Sequence, residues 1–547
     1  MACASGRALT LVRADEPLRL AHRWEIEPDL GAVWLPPPTQ PAVVLQPERF
    51  ASEQRQVVLD EAQVAIRHAD YEQLEGREAA LDAMLQRLQS GIDNRQLRLA
   101  LAAAAIALAD VSHADVLWDR LSQDAATRPL IERALAEWKS PLAIELWREQ
   151  LSDPAASLRD LQLAVVGIGA TGDEQDGPAL ENLLRSDRLP IPLKIVVARG
   201  LGQVMDHDLE ELASQVLATQ LTHRELLAAE LLSKHTSPQA SQILQTILAS
   251  EHQPARTVAY TAISHNYAEL ARELAEQMLS QTDNNLRAQA VEVLNRHDDA
   301  QSLQLQAQRI IDQNYEVRTT VRGNLLRKAQ IADLKPLVDE IIEQQLSGDD
   351  YRGIEQAILL SVGLGETRWC PAYLKLLEYP RPETSLIAAW ALQELADTPE
   401  LMQGILEHTL PITERSLSGV YNVSPAQLQQ AFLFEALGRN RYQPALETLK
   451  LYIPKRHNMG DLCRASAIWA IGRIQEDSHD QQLAAALAER MLDMSTTDPE
   501  DPLVKYTSIL ALGWIKAPGS LEQVSEPPFI VGDPLSKAAQ WSIKKLK

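Results

Sequence analysis

Three stretches decide the fold of this chain: RDLQLAVVGIG at 159–169, RASAIWAIGRI at 464–474 and KYTSILALGWI at 505–515. Each begins with a basic residue and carries a glycine eight positions later, with mostly small and aliphatic residues between them. A fourth segment, from Lys194 to Gly202, has the same spacing. A register that recurs in distant parts of a chain indicates an internal repeat, and isolated motifs are interpreted only after such a repeat has been recognised.

The basic position of this register recurs along most of the chain. The residues that occupy it are Arg159, Lys194, Arg224, Arg256, Arg287, Arg318, Arg464, Lys505 and Lys537. From Lys194 to Arg318 the successive steps are 30, 32, 31 and 31 residues, within the range of repeats built from two helices. The segments between these positions are amphipathic, so neither helix of a repeat can bury its apolar face alone.

Turns in the same register provide signals for helix starts. Asp153-Pro154, Asp501-Pro502 and Asp533-Pro534 each offer an N-cap residue followed by a proline for the first turn. Because the helices need neighbours to cover their apolar faces, successive repeats must stack. The predicted fold is all-α: a right-handed α-α superhelical solenoid of stacked antiparallel helix pairs.

The three quoted strings resemble HEAT repeats, and in particular the short bacterial form named after the phycobilisome lyases. The resemblance covers about residues 94–546 and implies an armadillo-like solenoid. In such repeats the basic residue and the aspartate of the preceding turn usually form a structural ladder. By resemblance, Asp283 pairs with Arg287 and Asp461 pairs with Arg464.

The N-terminal part of the chain has a different composition. Residues 1–50 contain Trp24, Trp34 and a run of three prolines, and this proline density rules out a continuous helix. We predict a proline-rich extended arm there, which either caps the solenoid or binds a partner. Residues 51–93 are predicted to form N-terminal helices, and residues 94–547 the repeat solenoid.

Composition excludes several classes of partner and site. The chain has 75 acidic and 52 basic residues and a net charge of −23, which disfavours nucleic acid and anionic membranes as partners. No apolar run reaches the ~18 residues that a membrane-spanning helix needs. The three cysteines are widely spaced, so they support neither a disulfide framework nor a zinc site.

The location of the protein is predicted from the first residues. The sequence at 12–14 faintly resembles a signal-peptidase site, but the stretch before it is too short and polar for an export signal. A cytoplasmic location is therefore favoured, and a periplasmic or exported protein is the alternative if the natural start lies upstream.

One motif resembles a nucleotide-binding fingerprint. Residues 167–172 read GIGATG and match GxGxxG, but the preceding segment fits the helical register and not a strand. Gly200 and Gly202 stand near the predicted helix end of the next repeat, where glycine can form a C-cap. The histidines form no HxxxH or HExxH pair, and no GxSxG elbow occurs. We therefore predict no catalytic residue, cofactor or metal.

The regular pattern fails in one block, residues 351–460. The basic position should fall near 355, 385 and 430, but Glu355, Ser385 and Gln430 stand there. Residues 410–422 read as an irregular insertion that is long for a connection between packed helices. Insertions in solenoids map to loops, often on a binding face.

A cluster of basic residues in an acidic chain follows this insertion, at 439–457, and we call it the basic island. Arginine and tyrosine together suit an acidic peptide, because they provide charge-assisted hydrogen bonds and stacking. The alternative is that the tyrosines pack between helices and the basic residues solvate a turn. The candidate partner-binding residues are Arg415, Tyr421, Arg439, Arg441, Tyr442, Tyr452, Lys455, Arg456 and His457.

The sequence favours a noncatalytic scaffold that binds a protein partner, because stacked repeats create an extended binding face. Two alternatives are enzymes with HEAT-like folds: a bilin lyase or isomerase, and an alkylated-base DNA glycosylase, which needs a basic face. A third alternative is a structural spacer associated with the cell envelope.

Overall fold

We describe the protein from a computed structural model. The residues that it describes from the first helix onward are 95–420, 424–495, 497–525 and 534–547. Before them it describes four short strands and a few residues between 81 and 88. The chain divides into an N-terminal unit, Thr39–Arg296, and a C-terminal unit, His297–Lys547 together with Met1–Pro38.

The four strands form two antiparallel pairs. Strand β1 (Ala2–Ala4) pairs with β2 (Arg7–Leu9), and β3 (His22–Glu25) pairs with β4 (Ala32–Leu35). The predicted extended arm thus contains two short hairpins. The rest of residues 1–50, and most of the helices predicted at 51–93, lie outside the described residues.

Regular structure in the described part of the N-terminal unit is helical. Its α-helices are α1 (Arg95–Leu108), α2 (Ala114–Leu121), α3 (Arg128–Glu137), α4 (Ile144–Ser152), α5 (Leu158–Thr171), α6 (Gly177–Arg185), α7 (Ile191–Val204), α8 (Glu210–Ala218), α9 (Arg224–Leu231), α10 (Pro238–Leu248), α11 (Gln253–Asn266), α12 (Ala268–Leu279) and α13 (Asn284–Asn295). Single 3₁₀ turns at Val111–His113, Pro141–Ala143 and Glu174–Asp176 precede three of these helices.

The C-terminal unit continues with the same kind of element. Its α-helices are α14 (Ala300–Ala307), α15 (Tyr315–Lys328), α16 (Lys335–Leu346), α17 (Tyr351–Leu364), α18 (Cys370–Leu376), α19 (Pro382–Leu395), α20 (Pro399–Leu417), α21 (Ser424–Arg439), α22 (Leu446–Lys450), α23 (Asp461–Ile474), α24 (Gln481–Leu492), α25 (Pro502–Ile515), α26 (Ser520–Ser525) and α27 (Pro534–Leu546). Its 3₁₀ turns are Gln308–Ile311, Thr367–Trp369, Gln443–Ala445 and His457–Met459.

Within each unit, every second helix packs on the next one in a continuous row. In the N-terminal unit this row runs from α3 through α5, α7, α9 and α11 to α13, and in the C-terminal unit it runs from α15 through the odd-numbered helices to α27. Most even-numbered helices pack beside the row, which makes helix pairs joined by short turns. Both units are therefore stacks of helix pairs, and the all-α solenoid fold predicted from the sequence is confirmed.

The glycine of the repeat register lies where two helices approach closely. A Cβ atom added to Gly167 would lie 2.3 Å from the ring of Trp147, and one added to Gly202 would lie 2.3 Å from the carbonyl oxygen of Glu230. Both glycines stand inside their helices. The C-cap interpretation of Gly202 is therefore wrong, because α7 continues beyond it. The same helix contains residues 167–171 of the GIGATG motif, and Gly172 is its C-cap residue.

Only some of the predicted N-cap residues cap a helix. Asp501 accepts a hydrogen bond from the backbone N–H of Leu503 (2.8 Å) and caps α25, which begins at a proline. The cap expected at Asp153 is wrong, because α5 begins later, after Ser157, whose hydroxyl accepts from the Asp160 N–H (3.1 Å).

Five arginines of the register bind main-chain carbonyl groups at the end of the preceding helix or in the turn after it. The bonds are Arg224 Nη1 to Thr219 O (2.9 Å), Arg256 Nε to Leu248 O (3.0 Å), Arg287 Nη1 to Thr282 O (2.8 Å), Arg318 Nη1 to Gln313 O (3.1 Å) and Arg464 Nη2 to Ile453 O (3.2 Å). Carbonyls at a helix C-terminus lack partners within the helix and carry the negative end of its dipole. Each arginine therefore ties the start of one helix to the end of another.

The other basic positions of the register are placed differently. Arg159 is exposed, Lys194 is buried, and the Lys505 ammonium lies 3.0 Å from the sulfur of Met494. The side chain of Lys537 lies outside the described residues. The expected aspartate partner stands 3.6 Å from Arg464 at Asp461, a separation typical of a loose ion pair.

No helix among the described residues is long and apolar enough to cross a membrane.

Candidate binding surfaces

The insertion predicted at 410–422 is mostly helical. Helix α20 runs to Leu417 with Pro411 inside it. The hydroxyl groups of Thr409, Thr413 and Ser416 are buried and donate to carbonyl groups of the same helix. The predicted long binding loop is therefore wrong at 410–417, because one buried face continues past the proline.

Other buried contacts replace the arginine-to-carbonyl bonds where the basic position is lost. Glu355 accepts hydrogen bonds from Arg381 Nε (3.1 Å) and the Thr384 hydroxyl (2.8 Å). Gln430 donates its amide N–H to the hydroxyl of Tyr452 (2.9 Å), and Ser385 donates to the carbonyl of Pro382 (3.0 Å). The repeats stay joined across this block, and the partner of each position has changed.

Acidic side chains from other parts of the chain lie against most of the basic island. The ion pairs are Arg439 with Glu394 (3.6 Å), Arg441 with Glu476, Lys450 with Glu447 (2.8 Å), Lys455 with Asp498 (2.9 Å) and His457 with Asp498 (3.5 Å). Of these acids only Glu447 lies within the basic island. Charges that are adjacent in sequence are thus largely neutralised in the fold.

The tyrosines of this region do not share one surface. Tyr452 is fully buried, and its ring packs edge-to-face on Phe434 with centroids 4.9 Å apart. Burial raises the pKa of Tyr452 to about 12. Its assignment as a partner-binding residue is therefore wrong, because a partner cannot reach it. Tyr442 is at the surface, where its hydroxyl donates to Gln403 (2.8 Å), and Tyr421 lies outside the described residues.

Two arginines of the predicted site remain exposed. Arg415 stands near the end of α20 and Arg456 in the turn before α23. Among the described residues, neither has a carboxylate oxygen within 4 Å of its guanidinium. They are the members of the predicted set with the most accessible charge.

A buried ion pair holds the basic island against the helix row. Arg464 is 1% exposed, and two of its nitrogens each lie 2.7 Å from an oxygen of Glu500. Arg464 also donates to the carbonyl groups of Tyr452 and Ile453. Burial disfavours the ionised form of Glu500, but the hydrogen bonds and charge of Arg464 outweigh it and lower the pKa of Glu500. The island is thus part of the packed structure.

A second basic surface lies at the starts of α15, α17 and α19, and the sequence did not single it out. We call it the arginine–tyrosine cluster. Its members are Tyr315, Arg318, Arg322, Tyr351, Arg352 and Arg381. All six side chains are half-buried. They come from three successive helices of the row, so the cluster is continuous across repeats.

The cluster is held together by arginines stacked on tyrosine rings. The guanidinium carbons of Arg352 and Arg381 lie 4.8 and 4.2 Å from the centroid of the Tyr351 ring, and that of Arg318 lies 5.6 Å from the Tyr315 ring. These distances fall within the ~6 Å range of cation–π attraction. Tyr351 therefore links helices α17 and α19 at their N-terminal ends.

The arginines of the cluster differ in whether a carboxylate lies close enough to balance the charge. Arg381 is paired with buried Glu355 and lies 3.6 Å from Glu383, while Arg352 lies 3.4 Å from Asp350. Arg318 and Arg322 have no carboxylate within 4 Å among the described residues. Burial is the largest influence on both and lowers the pKa of each guanidinium.

One sequence signal could have revealed this surface. Tyr315, Arg318 and Arg322 are spaced by three and four residues, so they share one face of a helix. Arg318 was assigned only to the structural register. The stacking of Arg381 on Tyr351 joins residues 30 positions apart and depends on how the repeats pack.

Groups of metal-ligand type occur, but the contacts explain them without a metal. His223 Nδ1 and His252 Nε2 lie 2.6 Å apart, and His252 Nδ1 accepts from the backbone N–H of Ala255, so this ring caps α11. Glu174, Asp206 and His207 converge at an exposed surface. Exposed acidic groups of this kind are common on helical proteins.

Two-helix repeats, stacked in a continuous row and joined by arginines at fixed register, are the features that define the architecture. By its fold, the chain is an α-solenoid of stacked helix pairs. No protein-family model matches it, and a comparison with curated proteins finds no match.

Several solved structures are similar to the chain at low sequence identity and with TM-scores below 0.5. Importin beta, crystallised with ammonium sulfate, matches with a TM-score of 0.46 and 13% identity over 91% of this chain and 72% of that chain. Kap121p bound to Ste12p matches with a TM-score of 0.43 and 12% identity over 90% and 55%. Yeast importin-beta, Kap95p, matches with a TM-score of 0.40 and 14% identity over 89% and 72%. The likeness concerns the fold and does not identify a partner.

Proposed function

We propose that this protein is a noncatalytic scaffold that binds a protein partner through the arginine–tyrosine cluster. The observation that carries the proposal is the continuity of the cluster over α15, α17 and α19, since solenoids bind through surfaces that span several repeats. Arginine and tyrosine are enriched among residues that dominate binding energy. The stacked side chains are already ordered, so a partner would meet a preformed surface at low entropic cost.

Charge supports a protein partner over a nucleic acid. A chain of net charge −23 repels a phosphate backbone beyond the immediate reach of its few unbalanced arginines. A protein partner can place an acidic group at the cluster and keep neutral or basic groups elsewhere. A cytoplasmic location belongs to the same proposal.

Affinity capture by the full chain tests the proposal. The variant Arg322→Glu/Arg352→Glu reverses two charges of the cluster, and Arg415→Glu/Arg456→Glu reverses two exposed charges outside it. We expect a partner captured by the wild type to be lost with the cluster variant and retained with the second variant, at unchanged unfolding temperatures.

Mass spectrometry of the captured proteins gives the readout. A partner retained equally by both variants would contradict the cluster as the binding surface. A partner lost only with the Arg415→Glu/Arg456→Glu variant would assign binding to the 410–457 region.

A further inference from the structure

We infer that the arginine–tyrosine cluster binds an oxyanion carried by a peptide, either a carboxylate or a phosphate group, with Arg322 as the anchor. The inference rests on the proposed function and names the chemistry of the partner at that surface. It depends on three observations: an unbalanced charge at Arg322, a second arginine one turn away with no carboxylate within 4 Å among the described residues, and the position of that arginine, Arg318, in the first turn of α15.

Arg322 is half-buried, and its hydrogen-bond partner is neutral. Its Nη1 donates to the amide oxygen of Gln356 (2.8 Å), and the hydroxyl of Tyr315 lies close to it. A guanidinium that loses hydration without gaining a carboxylate is costly to the folded state. An oxyanion at this position would supply the missing charge through short, charge-assisted hydrogen bonds.

Arg318 provides the second charge. It precedes Arg322 by four residues on α15, so both side chains leave the same face of the helix. Its Nη1 is fixed by the carbonyl groups of Asp312 and Gln313, at 2.5 and 3.1 Å, and its Nε is buried without a hydrogen-bond partner. Like charges four residues apart on one helix repel each other, and an anion bound between them would offset that repulsion.

The helix starts add to the positive potential. α17 and α19 begin beside one another, as the stacking of Arg381 on Tyr351 shows. Arg318, in the first turn of α15, is close enough to Arg352 at the start of α17 for the Arg352 charge to lower the pKa of Arg318. The N-terminus of a helix carries partial positive charge that favours anions. Asp350 and Glu383 lie within 4 Å of Arg352 and Arg381, and Glu355 and Asp312 act on Arg318 from a greater distance, so the anion is expected at Arg322.

The tyrosine rings favour a peptide over a free ion. Tyr315 and Tyr351 present half-buried rings next to the two unbalanced arginines, and such rings contribute large contact area with few rotatable bonds. A free phosphate cannot use this area. A peptide places its oxyanion on Arg322 and its neighbouring residues on the rings.

The test uses the full chain and three labelled peptides of one sequence, which differ only in carrying serine, aspartate or phosphoserine at the same two positions. Fluorescence anisotropy measures their binding at fixed ionic strength. We expect the aspartate or the phosphoserine peptide to bind at least about tenfold more tightly than the serine peptide. The tighter of the two identifies the source of the oxyanion.

Variants localise the binding. Arg322→Gln is expected to remove the preference for the oxyanion peptide, Arg322→Lys to restore it in part because the charge is kept, and Arg415→Gln/Arg456→Gln to leave it unchanged. Equal binding of all three peptides, or an unaltered preference in Arg322→Gln, would overturn the inference. Tighter binding of a single-stranded oligonucleotide than of any peptide would also overturn it.

A second measurement separates this inference from the proposed function. At matched ionic strength, inorganic phosphate is expected to raise the unfolding temperature of the wild type more than that of Arg322→Gln. Phosphate could instead raise the unfolding temperatures of the wild type and Arg322→Gln equally, while Arg322→Glu/Arg352→Glu still loses its captured partner. In that case the inferred oxyanion chemistry is wrong, and the cluster is still supported as the binding surface. If Arg322→Glu/Arg352→Glu retains the partner and phosphate stabilises both proteins equally, the proposed binding surface and the oxyanion inference are both wrong.

Discussion

The basic island at 439–457 and the arginine–tyrosine cluster contain the same residue types in opposite environments. In the island, acids such as Glu394, Glu476 and Asp498 fold onto the basic residues, and Tyr452 is in the core. In the cluster, Arg318 and Arg322 keep their charges without a carboxylate within 4 Å among the described residues. The island is conspicuous in sequence, and the cluster has the less balanced charge.

The difference teaches that charge density along a chain is a poor guide to charge density on a surface. Side chains within about 10 Å determine the local potential, and in a repeat protein many of them come from the next repeat, about thirty residues away. Glu476 reaches Arg441 over 35 residues, and Asp498 reaches Lys455 over 43. The predictions below test the contrast, from the largest expected effect to the smallest.

Removing the ion pair that anchors the island should have the largest effect. Arg464→Met leaves Glu500 buried with a hydrogen bond from the Asp501 backbone N–H (3.0 Å) and a longer contact to Arg490 (3.4 Å), and breaking a buried pair in this way costs about 3–5 kcal/mol. Hydrogen exchange in the full chain should show lost protection in α23 and α25. Arg456→Met, at an exposed arginine, should change stability by less than about 0.5 kcal/mol.

The pH dependence of stability tests whether the charge of Glu500 causes the destabilisation of Arg464→Met. Because Arg464 holds the folded pKa of Glu500 below its ordinary value of 4.5, the pair stabilises the fold fully above that pH and progressively less below it. The difference in protection between wild type and Arg464→Met should narrow as the pH falls through 4. A difference that stays constant into acid would show that packing dominates.

The two tyrosines of the island should respond differently to loss of the hydroxyl group. Tyr452→Phe removes two buried hydrogen bonds, to Thr413 and Gln430, each 2.9 Å from the hydroxyl, and should cost about 1–3 kcal/mol. Tyr442→Phe removes one exposed bond to Gln403 and should cost less than about 0.5 kcal/mol. Chemical unfolding of the full chain measures both. Equal costs would contradict the placement of Tyr452 in the core.

Removing an acidic side chain that faces the basic island should leave the island's basic residues less balanced, as in the arginine–tyrosine cluster. Asp498→Asn removes the carboxylate beside His457 and the nearer of the two beside Lys455, and leaves Asp493 3.8 Å from Lys455. Exposed pairs contribute about 0.2–1 kcal/mol, so we expect binding of the phosphoserine peptide to improve by about twofold to fivefold. Asp153→Asn, at an exposed aspartate of the N-terminal unit, is the control for the change in net charge. No gain over this control would show that unbalanced charge alone does not make a binding surface.

Much of the fold was predictable because it depends on local pattern. The repeats have similar lengths of about thirty-one residues, the same amphipathic spacing and similar helix-start signals. Each repeat also buries its apolar face on its neighbours in the same way. The glycine position was recognised but misinterpreted at Gly202, because a sequence does not show how closely a neighbouring helix approaches. Helix α20 was misread for a similar reason, since tertiary burial continues it past Pro411.

The candidate site was less predictable, because it depends on which side chains meet. The partner-binding assignment at 410–457 stays a prediction for its exposed members, Arg415 and Arg456, and is wrong for Tyr452. The contact between His223 and His252 also escaped sequence reasoning. Their separation of 29 residues is one repeat, so they meet only because successive helices stack.

By itself, the sequence determined that this protein is a stack of helix pairs and where most of those helices lie, because periodic burial is a property of each repeat. Only the tertiary structure decided which arginines keep an accessible charge. That outcome depends on acids supplied by neighbouring repeats: they reach most of the basic island, and they leave Arg318 and Arg322 unbalanced.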